Sequence, residues 1–291
     1  VVEITQTIWD GVLFGSTYAL IGIGFTLIFG AMGKLNMAYA GAAIAGAYVG
    51  LAVSMFFDAP IILVFAVSAL VSTLMGYIVY QTCFRFIPTN NHLAALMASV
   101  GGLFLIDEVI VLATRGSPMN FPGLFEDAYF EIGPFGIRGD LLFVFFIGIV
   151  STVVLLYVLF KTRLGMATRA VAQQDVAAQL CGINIHRTNS ITFSIAGLLG
   201  GIAGAMTAAA VGVLSPVMTV PLTIKGLIVT VIGGLGSIPG AIIAGLFVGA
   251  FENFFLYIRG IDERDMYVVA LLFIFLVFRP NGIFSKTITR D

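Results

Sequence analysis

Nine apolar stretches decide what this chain can fold into. They lie near residues 11–33, 37–57, 60–82, 93–113, 141–160, 189–214, 222–235, 241–258 and 266–279. A helix needs about 20 predominantly apolar residues to cross the hydrocarbon core of a bilayer, and most of the stretches reach that length. A helix satisfies its own backbone N–H and C=O groups, which hydrocarbon cannot do. A membrane β-barrel would place apolar residues at every second position, and no such alternation runs through the chain. Charged residues make up only 10% of the 291, against about a quarter in soluble domains. The sequence therefore predicts an all-α fold, a polytopic transmembrane helical bundle of eight to ten spans forming one membrane domain over 1–291. Nine is the preferred count. Eight or ten follow if 222–258 or 31–41 re-enters the membrane from one side.

Basic residues orient the bundle. With the C-terminus placed in the cytoplasm, Lys34, Arg85, Lys161, Arg163, Arg169, Arg187, Arg279, Lys286 and Arg290 fall inside. Arg115, Arg138, Arg259 and Arg264 fall outside, and Lys225 lies within a span. This bias follows the positive-inside rule and puts the N-terminus outside. The acids Glu126, Asp127, Glu131, Asp140, Asp262, Glu263 and Asp265 gather on the outer side. Residues 114–140, with Pro118, Pro122 and Pro134, read as an external loop. Cys83 and Cys181, the only cysteines, sit at cytoplasmic span ends, where thiols stay reduced.

Glycines spaced by four, such as Gly11/Gly15, Gly46/Gly50, Gly197/Gly201 and Gly245/Gly249, let helix backbones approach closely inside a bilayer. The run GGLGSIPG at 233–240 is different, because Pro and repeated Gly interrupt a helix there. It is either a tight hairpin or the break in one discontinuous span. Broken helices in transporters line the substrate path, which makes Gly233, Gly234, Gly236 and Ser237 candidates. KLNMAYAG at 34–41 is the second such place. Its Asn36 serves either as a helix cap or as a ligand contact, and Asn36, Met37 and Tyr39 join the path candidates. FGAMGKLN and GAAIAGAYVG (29–36 and 41–50) are echoed by IGGLGSIP and GAIIAGLFVG (232–239 and 240–249), either by duplication or by shared small-residue composition. Intramembrane acids are functional candidates by default. Asp107 and Glu108 stand near the outer end of their span, close enough for snorkelling to water. Glu252 is deeper, and Lys225 at a similar depth is its natural partner.

No covalent chemistry is legible. His92 and His186 are the only histidines, and no metal-ligand spacing, nucleophile elbow or phosphate loop occurs. Nothing points to nucleic acid. The polar run RAVAQQDVAAQLCGIN at 169–184 separates two long spans on the basic side. On a helical wheel for 170–181, Ala170, Ala177, Ala178 and Cys181 cluster with Val171, opposite Asp175 and Gln179, and Gly182 supplies a stop. A small-residue face of this kind suits docking into a groove of another protein better than resting on lipid. A stand-alone channel or ion-coupled carrier is the alternative, and sparse intramembrane charge speaks against ion coupling.

Four segments together resemble the permease subunit of branched-chain amino acid ABC importers. They are GVLFGSTYALIGIGFTLIFGAMGKLNMAYAGAAIAGAY at 11–48, RLGMATRAVAQQDVAAQLCGIN at 163–184, TFSIAGLLGGIAGAM at 192–206 and VIGGLGSIPGAIIAGLFVGAFEN at 231–253. The resemblance covers nearly the whole chain. It implies a bacterial inner-membrane subunit that pairs with a second permease, a copy or a paralogue. It also implies two cytoplasmic ATPase subunits, which bind ATP with magnesium so that this chain needs no cofactor, and an external substrate-binding protein. AAQLCG at 177–182 resembles the Ala-Ala-x-x-x-Gly part of the coupling motif, within a cytoplasmic loop at about 161–188. Arg169, Gln173, Gln174, Asp175, Ala177, Ala178 and Gly182 are the implied ATPase contacts. Two departures stand out. Val176 occupies the place of the motif's Glu, with Asp175 one position earlier. Tyr39, Ala40 and Gly41 occupy the places of the family's His, Gly and Glu. The second bears on cargo, since related permeases carry urea or short amides.

Overall fold

A computed structural model describes residues 2–57, 59–88, 91–122, 129–132, 135–260, 263–279 and 282–284. Of the residues named above, Glu126, Asp127, Pro134, Asp262, Lys286 and Arg290 lie outside them, as does the side chain of Glu131. Eleven α-helices follow in order among the described residues. They are α1 (Val2–Met32), α2 (Ala38–Phe57), α3 (Ile61–Val79), α4 (His92–Thr114), α5 (Gly139–Lys161), α6 (Arg163–Gln173), α7 (Asp175–Leu180), α8 (Ile185–Val211), α9 (Thr219–Gly233), α10 (Ile238–Arg259) and α11 (Arg264–Phe278). Every apolar stretch of the sequence is a helix. Eight helical segments are long and apolar enough to cross a bilayer, the seventh being α9 together with the 3-10 turn Pro216–Met218 that leads into it. The ninth, α11, has 15 residues, about 22 Å of helix, and falls short of a full span.

α1 is the centre of the bundle. It and α8 bury 83% and 72% of their apolar stretches, against 22% for α5 and 28% for α4. The peripheral helices turn apolar side chains outward: Phe56, Leu70, Leu105, Leu112, Phe146 and Phe278 are all at least 60% exposed. That is a lipid-facing surface, because water would not tolerate so much apolar area on a monomer. The chain is an integral membrane protein.

Glycine decides how the central helices meet. α10 lies antiparallel on α1, and a Cβ on Gly11 would stand 2.7 Å from the Gly249 carbonyl oxygen, one on Gly15 2.8 Å from that of Gly245. Gly46 of α2 faces α3 at Ser68 and Ser72 in the same way, and Gly201 and Gly197 of α8 face it at Ser68 and Ser72 respectively. The echo between 29–50 and 232–249 has a structural counterpart. In each copy a helix ends at positive-φ glycines, Gly33 in one and Gly234 and Gly236 in the other. The next helix is then capped by a side chain, Asn36 or Ser237, and carries a Gly-x-x-x-Gly pair into a helix crossing.

The loop expected over 114–140 contains short strands. β1 (Met119–Asn120) pairs antiparallel with β4 (Val213–Leu214), and β2 (Tyr129–Ile132) with β3 (Phe135–Arg138). Tyr, Phe and Ile in the second pair favour strand over coil, a local preference that the prolines obscure. Gln6 at the start of α1 donates to the Gly136 carbonyl at 2.9 Å, tying this hairpin to the central helix. At the opposite end Ile283 and Phe284 donate backbone hydrogen bonds to Ile232 and Gly233, so the chain closes over the end of α9.

Gly15→Leu should test the glycine contact. Four extra heavy atoms at a backbone-to-backbone crossing cannot be absorbed by rotamer change, and overpacking of a close contact costs about 1–3 kcal/mol or more. Thermal unfolding in detergent, read by fluorescence-detected size exclusion, should show a clear drop in midpoint, while the same substitution at Gly101, where a Cβ meets nothing within 4 Å, should leave it in place.

Candidate functional site: the 163–182 segment and the adjoining helix ends

The polar segment is two helices, not one. Gln174 takes extended angles (φ −157°, ψ 112°) and ends α6 while preceding α7. This corrects the single helix expected over 170–181, and the Ala face goes with it. Val171 and Ala178 are buried, Ala170 is half-buried, and Ala177 and Cys181 are exposed. The wheel failed because one non-helical residue resets the phase of everything after it. Gly182 is the stop it was read to be. Its φ is +82°, and the Ile183 N–H reaches back to the Ala178 carbonyl at 3.0 Å, which is a left-handed glycine terminus.

The candidate coupling residues gather at the end of the bundle where α1 and α9 finish. Gln173, Gln174, Ala177 and Gly182 are exposed. Arg169 is exposed too, with its guanidinium 5.2 Å from the Phe160 ring centroid and its Nε 3.4 Å from the Gly165 carbonyl. Asp175 opens α7 half-buried. Sequence reasoning passed over Val176 and Leu180, which are 65% and 85% exposed. They stand four apart and so share one helix face, a spacing that was there to be read. α7 thus exposes two bulky apolar side chains and buries an alanine.

The path candidates divide into two groups, and both lie against the second half of α1. Asn36 is buried, and its Oδ1 accepts from the Ala38 N–H at 3.1 Å, capping α2. The Met37 N–H donates to Ser99 Oγ at 3.2 Å. Tyr39 is buried with its hydroxyl wedged where a Cβ on Gly24 would stand, its ring 4.9 Å edge-on from Phe25 and a Cβ on Gly200 3.0 Å from it. That hydroxyl has no hydrogen-bond partner among the described residues. The run 233–240 is a tight hairpin between α9 and α10 rather than a break in one span. Gly233 packs on Gly240, Gly234 and Gly236 have φ of 102° and 86°, and Ser237 caps α10 by accepting from the Gly240 N–H at 3.3 Å. A Cβ on Gly30 would lie 3.7 Å from Gly236. Gly24 and Gly30 are six residues apart, about 9 Å along α1, so the structure brings the two groups onto one stretch of that helix.

Toward the other end lies a buried charge cluster. Lys225 Nζ is 2.7 Å from Glu252 Oε1 and 3.0 Å from Asp265 Oδ1. Arg264 Nε is 3.4 Å from the same Glu252 oxygen, and Lys225 also donates to the Tyr18 hydroxyl at 3.3 Å. The pairing of Lys225 with Glu252 expected from shared depth is formed. The cluster ties α1, α9, α10 and the first turn of α11 together. Glu252 is 2% exposed and Lys225 6%, so each is buried as one half of an ion pair, and removing either partner is costly. Glu108 is exposed, and Asp107 is half-buried with one carboxylate oxygen buried and unpartnered among the described residues.

Comparison with known proteins fits this architecture. The sequence pattern of the family described as "Branched-chain amino acid transport system / permease component" matches residues 7–278. The chain belongs to this family of permeases. Among similar proteins, the high-affinity branched-chain amino acid transport system permease protein BraD of Pseudomonas aeruginosa is 30% identical, over 97% of this chain and 95% of that protein. LivH of Escherichia coli, a permease of the same description, is 28% identical over 97% and 95%. The ribose import permease RbsC of Escherichia coli is 29% identical over a shorter stretch, 65% of this chain and 61% of its own length. Among solved structures, a metal-chelate type ABC transporter in an inward-facing conformation superposes with a TM-score of 0.54 at 15% identity, covering 94% of this chain and 85% of that one. It shares the fold.

The permease's charge cluster gives a direct test. Lys225→Met leaves Glu252 buried beside Arg264 alone and should cost about 3–5 kcal/mol. Lys225→Met combined with Glu252→Met removes both charges and should recover most of that loss. Unfolding midpoints of the two variants in the same detergent separate the outcomes.

Proposed function

We propose that this chain is the permease subunit of an ATP-driven importer of amino acids, branched-chain and other hydrophobic ones above all. The match of residues 7–278 to the permease family carries the reading. An exposed two-helix segment of the family's coupling type, at 163–182, supports it. The chain performs no covalent chemistry in this scheme. Two cytoplasmic ATPase subunits bind and hydrolyse ATP with magnesium, and this chain needs no cofactor of its own. A second permease, copy or paralogue, completes the membrane core, and an external binding protein delivers cargo. The subunit resides in the bacterial inner membrane with the C-terminus and the 163–182 segment cytoplasmic. The basic residues at that end of the bundle support this orientation by the positive-inside rule.

ATPase contact falls on α7 and its flanks: Arg169, Gln173, Gln174, Asp175, Ala177, Ala178 and Gly182, with Val176 and Leu180 as the apolar anchors. Closing of the ATPase dimer moves α7, and α6 and α8 carry the motion into the bundle around α1. The cargo passes beside the second half of α1, near Asn36, Met37 and Tyr39 and the turn Gly233, Gly234, Gly236 and Ser237. Asn36 and Ser237 hold helix caps and Tyr39 fills a helix crossing. Admission of cargo therefore requires α2 or the α9–α10 hairpin to shift against α1.

Leu180→Glu and Ala177→Trp alter exposed positions of α7 and spare its packed side. Each should lower ATPase co-purification and uptake by about tenfold, equivalent to about 1.4 kcal/mol at a contact anchor, while the permease still inserts and elutes as a folded species. Normal uptake with an intact complex would remove α7 from the contact. Uptake assayed with labelled leucine, isoleucine, phenylalanine, urea and acetamide decides the cargo. Uptake that persists with no ATPase present would point instead to a carrier working alone.

A further inference from the structure

Under α7 lies a cavity of about 400 Å³, within the usual range of small-molecule sites. α7 walls it on one side through Asp175, Val176 and Gln179, and the ends of α1 and α3 and the start of α8 wall the other. Directly after α3 the chain continues as a π-helical turn at Tyr80–Phe84, a distortion that recurs at functional sites, and its Tyr80 and Phe84 line the cavity.

The lining carries charge of both signs. Lys34 is 3% exposed and donates to the carbonyls of Pro88 and Ile87 at 3.1 and 3.4 Å, which fixes its ammonium in the wall. Burial pulls the Lys34 pKa down, and the Asp175 carboxylate acts against that, so the two charges sense one another. Arg85 is held by one nitrogen on Gln81 at 2.9 Å and keeps its other donors. Asn189 is 5% exposed, lines the cavity, and has a buried side-chain oxygen that accepts no hydrogen bond among the described residues. A buried acceptor left unmatched is costly, and a turn of the Asn189 amide toward the cavity that its side chain lines would match it to a donor on a ligand. Met32, Phe84 and Val176 supply apolar surface.

Cations for a carboxylate, a carboxylate and an amide oxygen for an ammonium, and an apolar wall together match a zwitterion with an apolar side chain. We propose that this cavity is an inner-side site for an apolar α-amino acid, and that its occupancy clamps α7 to the bundle and slows the transport cycle. The assignment of the ligand to the imported cargo rests on the importer reading. A ligand that touches α7 and the bundle at once binds only where α7 is seated as it is here. Its accumulation on the inner side shifts the population to that state and opposes the movement that transport requires.

The test uses the complete transporter in proteoliposomes loaded with magnesium ATP, with the binding protein and labelled leucine outside and unlabelled leucine inside at rising concentration or left out (empty vesicles), and follows initial uptake from outside. Internal leucine should slow the wild type by about fivefold or more. Asn189→Ala and the exposed-site variant Arg85→Gln should each raise the half-inhibitory internal concentration by about tenfold, with uptake into empty vesicles unchanged. No effect of internal leucine on the wild type, or equal inhibition of both variants, overturns the proposal. So does a rate that follows the phosphatidylglycerol content of the vesicles and ignores internal leucine, which would give the cavity to a lipid headgroup. If empty vesicles take up no amino acid, the importer reading fails instead. Equilibrium binding of labelled leucine to the purified complex then still decides the site: saturable binding that Asn189→Ala loses supports it, and no binding overturns it.

Discussion

Backbone-to-backbone contact between α1 and α10 is the constraint on which the rest of the bundle depends. Inside a bilayer the apolar surface gains nothing by leaving lipid, so helices associate through close packing and polar contacts. Gly11 and Gly15 on one helix and Gly245 and Gly249 on the other remove the side chains from the crossing. Once α1 is fixed there, its remaining faces receive α8, α2, α9 and α5. The glycines of α2 and α8 repeat the solution against Ser68 and Ser72 of α3. A central helix that is 83% buried in its apolar stretch is thus produced mainly by what its neighbours lack.

Polar groups within this packing are few, and most are matched. Asn36, Ser237 and Asn184 cap helices. Lys225 and Glu252 neutralise each other beside Tyr18. The serine and threonine hydroxyls of the helices largely bond to carbonyls one turn back, as at Thr223 and Thr230. Among the described residues the unmatched oxygen of Asn189 belongs to a side chain that lines a cavity.

Much of the fold was legible because a bilayer makes length and apolarity nearly sufficient. Each apolar run became a helix, and the pairing of Lys225 with Glu252 followed from depth alone. What was not legible depended on single backbone angles and on distance in sequence. Nothing in RAVAQQDVAAQLCGIN announces that Gln174 leaves the helix, so the Ala face drawn over 170–181 mixed two phases. The strands at 119–138 depend on Val213 and Leu214 and on a hairpin, and a stretch rich in proline hides both. The cavity joins Lys34, Arg85, Asp175 and Asn189, four residues from different elements that no local pattern connects. Tyr39 and Gly41 were visible as departures from the family's pattern. Only the packing reveals that Gly41 faces Leu103 and Ile106, where an acid would have been buried.

The extended angles at Gln174 have a mechanical consequence. A continuous helix through 163–180 would behave as a stiff rod and pass a push along its length. With one residue out of helical geometry the segment is two short rods meeting at a knuckle, each still hydrogen-bonded across the joint by Gln174 itself, whose N–H goes to Ala170 and whose carbonyl receives Ala178. A push on α7 would reach α6 as a change of angle. In the coupling proposed above, the torsions of a single glutamine would set the gearing between a partner bound on α7 and the helices of the membrane core.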